Sequence, residues 1–85
     1  MYHLYILNCA DNTLYTGITT NLERRLKEHN LSKIGAKYTK ARRPVTLLYS
    51  KKFRTRSTAT KAEAKIKNLS RAEKQLLIQG TSKFI

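Results

Sequence analysis

YHLYILNCADNTLYTGITT, residues 2–20, is the stretch on which the fold turns. Tyr2 to Cys9 and Leu14 to Ile18 are runs rich in β-branched or aromatic side chains, and Ala10-Asp11-Asn12-Thr13 between them has the Asp/Asn chemistry of a tight turn. The pattern predicts an antiparallel hairpin. Leu4 and Ile6 share one face of the first strand, and Leu14, Thr16 and Ile18 share one face of the second. Putting both sets on one side requires paired residue numbers with an even sum, because a one-residue slip turns a strand over. Tyr5, Tyr15 and Gly17 then share the other face, where a residue without a side chain lets another backbone or a ligand come close.

Downstream of the hairpin, Thr20-Asn21-Leu22-Glu23 fits a capping box and predicts a helix over about Asn21 to Asn30. Its inward stripe runs through Leu22 and Leu26, and helical spacing adds Arg25 and His29 to it. Arg24, Lys27 and Glu28 are expected to face out, with Glu23 to Lys27 and Arg24 to Glu28 as weak i,i+4 pairs. Leu31 to Arg43 has no clear period and is long for a loop in a small domain, which favours a binding role. Val45 to Phe53, begun by Pro44, reads as a third strand. Ser57 or Thr58 then caps a helix to about Asn68 with the stripe Ala59, Ala62, Glu63 and Ile66. Ser70-Arg71-Ala72-Glu73 is a second capping box, and Gly80 suits the C-terminal cap of a last helix carrying Leu76 and Leu77. The expected fold is α+β: a three-stranded antiparallel sheet with helices, in the order β-β-α-β-α-α. Residues 1–80 form the single domain expected and 81–85 a C-terminal tail.

Composition narrows the function. Eighteen Lys and Arg against five Asp and Glu give 85 residues a net charge of +13, which argues for a polyanionic partner, above all nucleic acid. Leu, Ile, Val and Phe number 20 of the 85 residues, just above the roughly 20% below which so charged a chain stays unfolded. Cys9 is the lone cysteine and His3 and His29 are the only histidines, so neither an internal disulfide nor a zinc-ligand spacing arises. The expectation is a cytoplasmic, reduced monomer without membrane contact. From Asn30 to Lys61 there is no acidic residue, while Lys33, Lys37, Lys40, Arg42, Arg43, Lys51, Lys52, Arg54, Arg56 and Lys61 are all basic. Such a run is either a solvated face or a surface that tracks phosphates, and its one-sidedness favours the second.

Arg25, His29 and Glu63 stand where periodicity asks for apolar side chains, and Tyr5 and Tyr15 share a sheet face. The bland reading is an Arg25–Glu63 ion pair joining two helices, with the tyrosines as core filling and His29 as a hydrogen-bonded helix residue. The sharper reading comes from a resemblance. Tyr5 in His3-Leu4-Tyr5, the Tyr15-Thr16-Gly17 triplet, Arg25 and His29 in the next helix, Gly-Ala-Lys-Tyr at 35–38 and Glu63 in a later helix resemble the GIY-YIG nuclease domain, closest to its short stand-alone bacterial members. The first triplet keeps only its tyrosine, and a late asparagine of some relatives has no match. The resemblance implies divalent-metal-dependent phosphodiester hydrolysis. It makes Glu63 the ligand of Mg²⁺ or Mn²⁺, Arg25 the phosphate clamp, and Tyr5, Tyr15 and His29 the groups around the nucleophilic water and the scissile phosphate.

The chemistry is coherent in its own terms. In-line attack on a phosphodiester spreads negative charge over the phosphate oxygens, so the site needs a cation, a fixed donor and a way to deprotonate water. One carboxylate suits Mg²⁺, and the arginine fork suits phosphate as a lysine would not. Tyr5 is favoured as base or base relay, with nearby positive charge needed to favour its phenolate, and Tyr15 as a positioning group. Gly17, Lys33, Lys37, Tyr38, Lys40, Arg42 and Arg43 are the expected nucleic-acid contacts, Tyr38 either stacking on a base or anchoring its loop. DNA is expected ahead of RNA, and a branched or end-containing structure ahead of a long sequence, with targeting left to a partner protein where needed. The rival function is a non-catalytic basic module that binds nucleic acid on the same fold.

Overall fold

The computed structural model describes residues 1–31 and 37–80, the side chains of Lys37 and Tyr38 excepted. The tail expected at 81–85 lies outside the described residues. Strands β1 (Tyr2–Asn8), β2 (Leu14–Thr19) and β3 (Thr46–Phe53) form one antiparallel sheet in the order β2-β1-β3. Helices α1 (Leu22–Leu31), α3 (Arg56–Lys67) and α4 (Arg71–Ile78) follow the anticipated order. A single helical turn, α2 (Lys37–Lys40), is added in the stretch expected to be loop.

The hairpin register has the even sum that the alternation requires: Leu4 pairs with Ile18, Tyr5 with Gly17 and Ile6 with Thr16. Asp11 closes the turn by accepting from Thr13 N–H at 3.2 Å and from the Thr13 hydroxyl at 2.6 Å, while Asn12 takes the left-handed φ of 68° that this residue tolerates. β1 is the central strand and is covered on both sides. Leu4 and Ile6 pack with Ala62, Ile66 and Leu77 of α3 and α4, and Tyr5 and Leu7 pack with Cys9, Val45, Tyr15, Leu22 and Leu26 on the α1 side. One face of β1 is therefore an ordinary apolar core. The other carries the polar residues singled out above.

Two caps differ from expectation. α1 is capped by Asn21, not Thr20: its Oδ1 accepts from Arg24 N–H at 3.0 Å, and Thr19 Oγ1 accepts from Asn21 N–H. α3 is capped by Thr55, not Ser57 or Thr58, with its hydroxyl accepting from Thr58 N–H. β3 ends early enough for Thr55, the first suitable side chain after it, to start α3, whereas α1 starts one residue later than its capping box suggests. The Ser70–Glu73 capping box is present in both directions, and Gly80, at φ 79°, donates its N–H to Leu77 just past α4.

Candidate active site

Tyr5 defines the site. Its ring lies across the strand partner Gly17, so that a Cβ built on Gly17 would be 2.6 Å from the Tyr5 hydroxyl oxygen and 2.8 Å from Cζ. Space expected to admit a ligand at Gly17 is thus occupied by a side chain of the protein itself. The tyrosine is 2% exposed and ends against His29, which is fully buried; the hydroxyl and Nε2 are 2.8 Å apart. Tyr15 completes an aromatic group, with its ring centroid 5.1 Å from that of His29 and 6.4 Å from that of Tyr5.

The inward stripe of α1 behaves as its spacing predicts. Arg25 reaches the sheet, where its guanidinium acts on the Tyr5 phenol and favours its ionised form. Its position is set by a residue expected to face solvent. Glu28 accepts from Arg25 Nη1 at 2.9 Å, and the two side chains are only 18% and 25% exposed respectively. The expected Arg24–Glu28 pair is longer, at 3.7 Å, so Glu28 leans inward to the nearer guanidinium. An i,i+3 reading of Arg25 and Glu28 would have found this partner. Glu63 stands on α3, across the sheet; it pairs with Lys67 at 3.4 Å and is 20% exposed. Tyr5 feels its carboxylate as a nearby negative charge. Tyr5, Tyr15 and His29 are thus grouped together, Arg25 acts on Tyr5 and His29 through its charge, and Glu63 acts on Tyr5 through its own.

Burial dominates the protonation states. It pushes Tyr5 from 10.0 up to about 12, and the Arg25 guanidinium, which acts the other way, does not offset it. The positive charge of the chain by itself therefore leaves Tyr5 a neutral phenol at pH 7; the expected phenolate called on a metal ion as well. Burial also pushes His29 down from 6.5 to about 4, helped by the positive charge of Arg25, so its imidazole is neutral at pH 7.

Two arginines of the basic stretch are fastened to the fold. Arg43 donates from Nε to the His29 carbonyl and from Nη2 to the Glu28 carbonyl, satisfying groups that the C-terminus of α1 leaves open. Arg42 donates from Nε to Asp11 at 2.8 Å, which ties this stretch to the hairpin turn. Both arginines, expected as nucleic-acid contacts, also brace the protein. Lys40 is exposed as expected. Lys33 lies outside the described residues, as do the side chains of Lys37 and Tyr38. Asn30 exchanges two hydrogen bonds with the Val45 backbone, at 3.0 and 2.7 Å. Thr39, fully buried, holds His29 Nδ1 at 2.8 Å. Sequence reasoning passed over Asn30 and Thr39, because each meets a segment to which no periodicity links it.

Among the described residues no three His, Cys, Asp or Glu side chains are grouped to hold a metal ion. One half-buried carboxylate, Glu63, does fit a hard cation that keeps several waters and shares its substrate's phosphate oxygens. Its pair with Lys67, whose side chain is 56% exposed, is of the weak surface kind and easily given up. Among the described residues no helix is long and apolar enough to cross a membrane.

A family model described as the GIY-YIG catalytic domain matches residues 1–76. A UPF0213 protein of Syntrophus aciditrophicus is 56% identical over 77 residues, covering 91% of this chain and 88% of that one. Two solution NMR structures are similar. One is a UPF0213 protein from Bacillus halodurans, 39% identical, with a TM-score of 0.62 over 99% of this chain and 89% of that one. The other is a protein from E. faecalis, 48% identical, with a TM-score of 0.65 over 93% of this chain and 83% of that one.

Proposed function

The chain belongs to the GIY-YIG nuclease family, and on that premise we propose that it hydrolyses phosphodiester bonds of nucleic acid, DNA ahead of RNA, with Mg²⁺ or Mn²⁺ held at Glu63. The observation that carries the reading is the buried Tyr5–His29 pair at 2.8 Å, with Arg25 on the same phenol. A core built only for stability gains little from three polar groups where periodicity asks for apolar ones. The charge of +13 supports a polyanionic substrate.

Each residue has a task that its surroundings fit. Arg25 presents a planar fork matched to phosphate oxygens, and Glu28 fixes where that fork points. Glu63 holds the cation, which when bound would polarise the phosphate and offset charge gathering on its oxygens. Tyr5 is too basic to rest as a phenolate, so it works as a relay. It takes a proton from the attacking water while its own proton passes to the neutral His29 Nε2. The water oxygen bonds to phosphorus, the bond from phosphorus to the leaving oxygen breaks, that oxygen takes a proton from solvent, and the imidazolium gives one up to solvent, which restores the neutral His29. Tyr15 walls the site beside His29 and orients the water.

The test is cleavage of labelled single-stranded, duplex and branched DNA and of RNA, with Mg²⁺ or Mn²⁺ and then with EDTA, by wild type and identically purified Glu63→Gln. Wild type should cut and EDTA should stop it, while Glu63→Gln should bind as before without cutting. Equal cleavage by both proteins would refute the role of Glu63. Binding without cleavage by either would make the chain a nucleic-acid-binding module.

A further inference from the structure

Thr39 lies in the basic stretch yet is fully buried, with Oγ1 2.8 Å from His29 Nδ1. Its backbone is held in place as well. Arg42 N–H donates to the Thr39 carbonyl at 3.0 Å, and Ala10 N–H donates to the Arg42 carbonyl at 2.8 Å. The Arg42 side chain grips Asp11 beyond them. The single turn α2 is thereby anchored to the hairpin turn, and its threonine is pressed against the imidazole.

Donors and acceptors decide the direction of the two His29 bonds. A guanidinium only donates, so Arg25 beside Tyr5 offers the phenol proton no acceptor. The neutral phenol has one proton to place, and His29 Nε2 is the acceptor beside it at 2.8 Å. A neutral imidazole that accepts at Nε2 carries its own proton on Nδ1, where the Thr39 oxygen stands. We infer that Thr39 is a positioning residue: by accepting the Nδ1–H, its hydroxyl holds His29 in the tautomer whose Nε2 receives the Tyr5 proton. The opposite tautomer sets Nε2–H against the phenol O–H, and Tyr5 then turns its proton toward the reacting water instead of a lone pair. The kinetic side of this inference rests on the nuclease reading; the tautomer does not.

Two-bond ¹H–¹⁵N spectra of histidine-labelled protein at pH 7 read the tautomer. Wild-type His29 is expected with protonated Nδ1 and bare Nε2, and a protonated Nε2 in wild type overturns the inference whatever the variants do. Thr39→Val keeps the shape and removes the hydroxyl. It should move His29 toward the Nε2–H form and lower kcat about ten- to a hundredfold, the range for losing a hydrogen-bond partner behind a working histidine, with KM within about twofold. Thr39→Ser should restore both. A Thr39→Val protein with the wild-type tautomer, or a Thr39→Ser protein as slow as Thr39→Val, overturns the role. If wild type cuts no substrate while the tautomer still follows residue 39, the nuclease reading fails and the positioning role stands.

Discussion

Gly17→Ala tests the geometry of the site with a single methyl group. The new Cβ would lie 2.6 Å from the Tyr5 hydroxyl and 2.8 Å from Cζ, whereas non-bonded heavy atoms settle at about 3.5–4.0 Å. The ring must retreat by roughly 1 Å. It has nowhere to go: the hydroxyl is already bonded to His29 at 2.8 Å, so moving toward the histidine overlaps it and moving away breaks the bond. Overpacking of this kind costs about 1–3 kcal/mol, and a buried donor left without its partner costs a similar amount. Urea unfolding should show a loss of about 2–4 kcal/mol, with shifted His29 ring signals and greatly reduced cleavage. Tyr5→Leu supplies the control, since it removes the ring atoms that collide. In that background the same Gly17→Ala change should be neutral or gain about 0.5 kcal/mol, because glycine is a poor strand residue. Gly17→Ala within about 0.5 kcal/mol of wild type, with His29 signals unmoved, would refute the claim that this glycine exists to admit the tyrosine.

Three further outcomes follow from the same structure. His29 titrates at about 4 when folded against 6.5 when exposed, so the unfolded chain binds the extra proton between those values. Stability is full above about pH 6.5 and falls as pH drops toward about 4, by about 3 kcal/mol at 1.36 kcal/mol per unit. Urea unfolding in steps from pH 7 to 4 should show this fall in wild type and a flatter course in His29→Gln, with Arg25, Arg43 and Glu28 still facing the position. Arg43→Ala should cost about 1–2 kcal/mol by uncapping α1, yet leave the salt slope of DNA binding unchanged, whereas Lys40→Ala should lower that slope by about 0.9. Thr16 Oγ1 is buried and has no hydrogen-bond partner among the described residues, so Thr16→Val should stabilise the domain by about 1 kcal/mol in thermal unfolding; a clear loss would mean that the hydroxyl has a partner in solution.

The hairpin was legible because alternation and turn chemistry pointed the same way, and the even-sum register followed from them. The caps of α1 and α3 were legible only to within a few residues. Thr-Thr-Asn at 19–21 and Thr-Arg-Ser-Thr at 55–58 each offer several capping side chains. Arg25 and His29 could be read from helical spacing, but the tilt of Glu28 toward Arg25 depends on a burial that spacing does not contain. Charge was the least informative signal. Lys40 and Arg43 look alike in a basic run, yet one is exposed and the other caps a helix. Thr39 was beyond reach for a physical reason: a four-residue helix has no period to reveal which side faces inward.

These braces explain how α1 holds its place with so polar an inward stripe. Leu22 and Leu26 alone supply its apolar contacts with the sheet, a modest anchor for ten residues. Fixed hydrogen bonds from other elements make up the difference at its C-terminal end. Arg43 takes the Glu28 and His29 carbonyls, Asn30 locks to Val45, and His29 bridges Thr39 and Tyr5. The same turn of helix carries the two residues that set Arg25 and Tyr5, so the contacts that hold α1 on the sheet are the contacts that hold the site in register. A change at Thr39, Arg43 or Val45 should therefore reach the site through α1, even where the sequence shows only a run of surface charge.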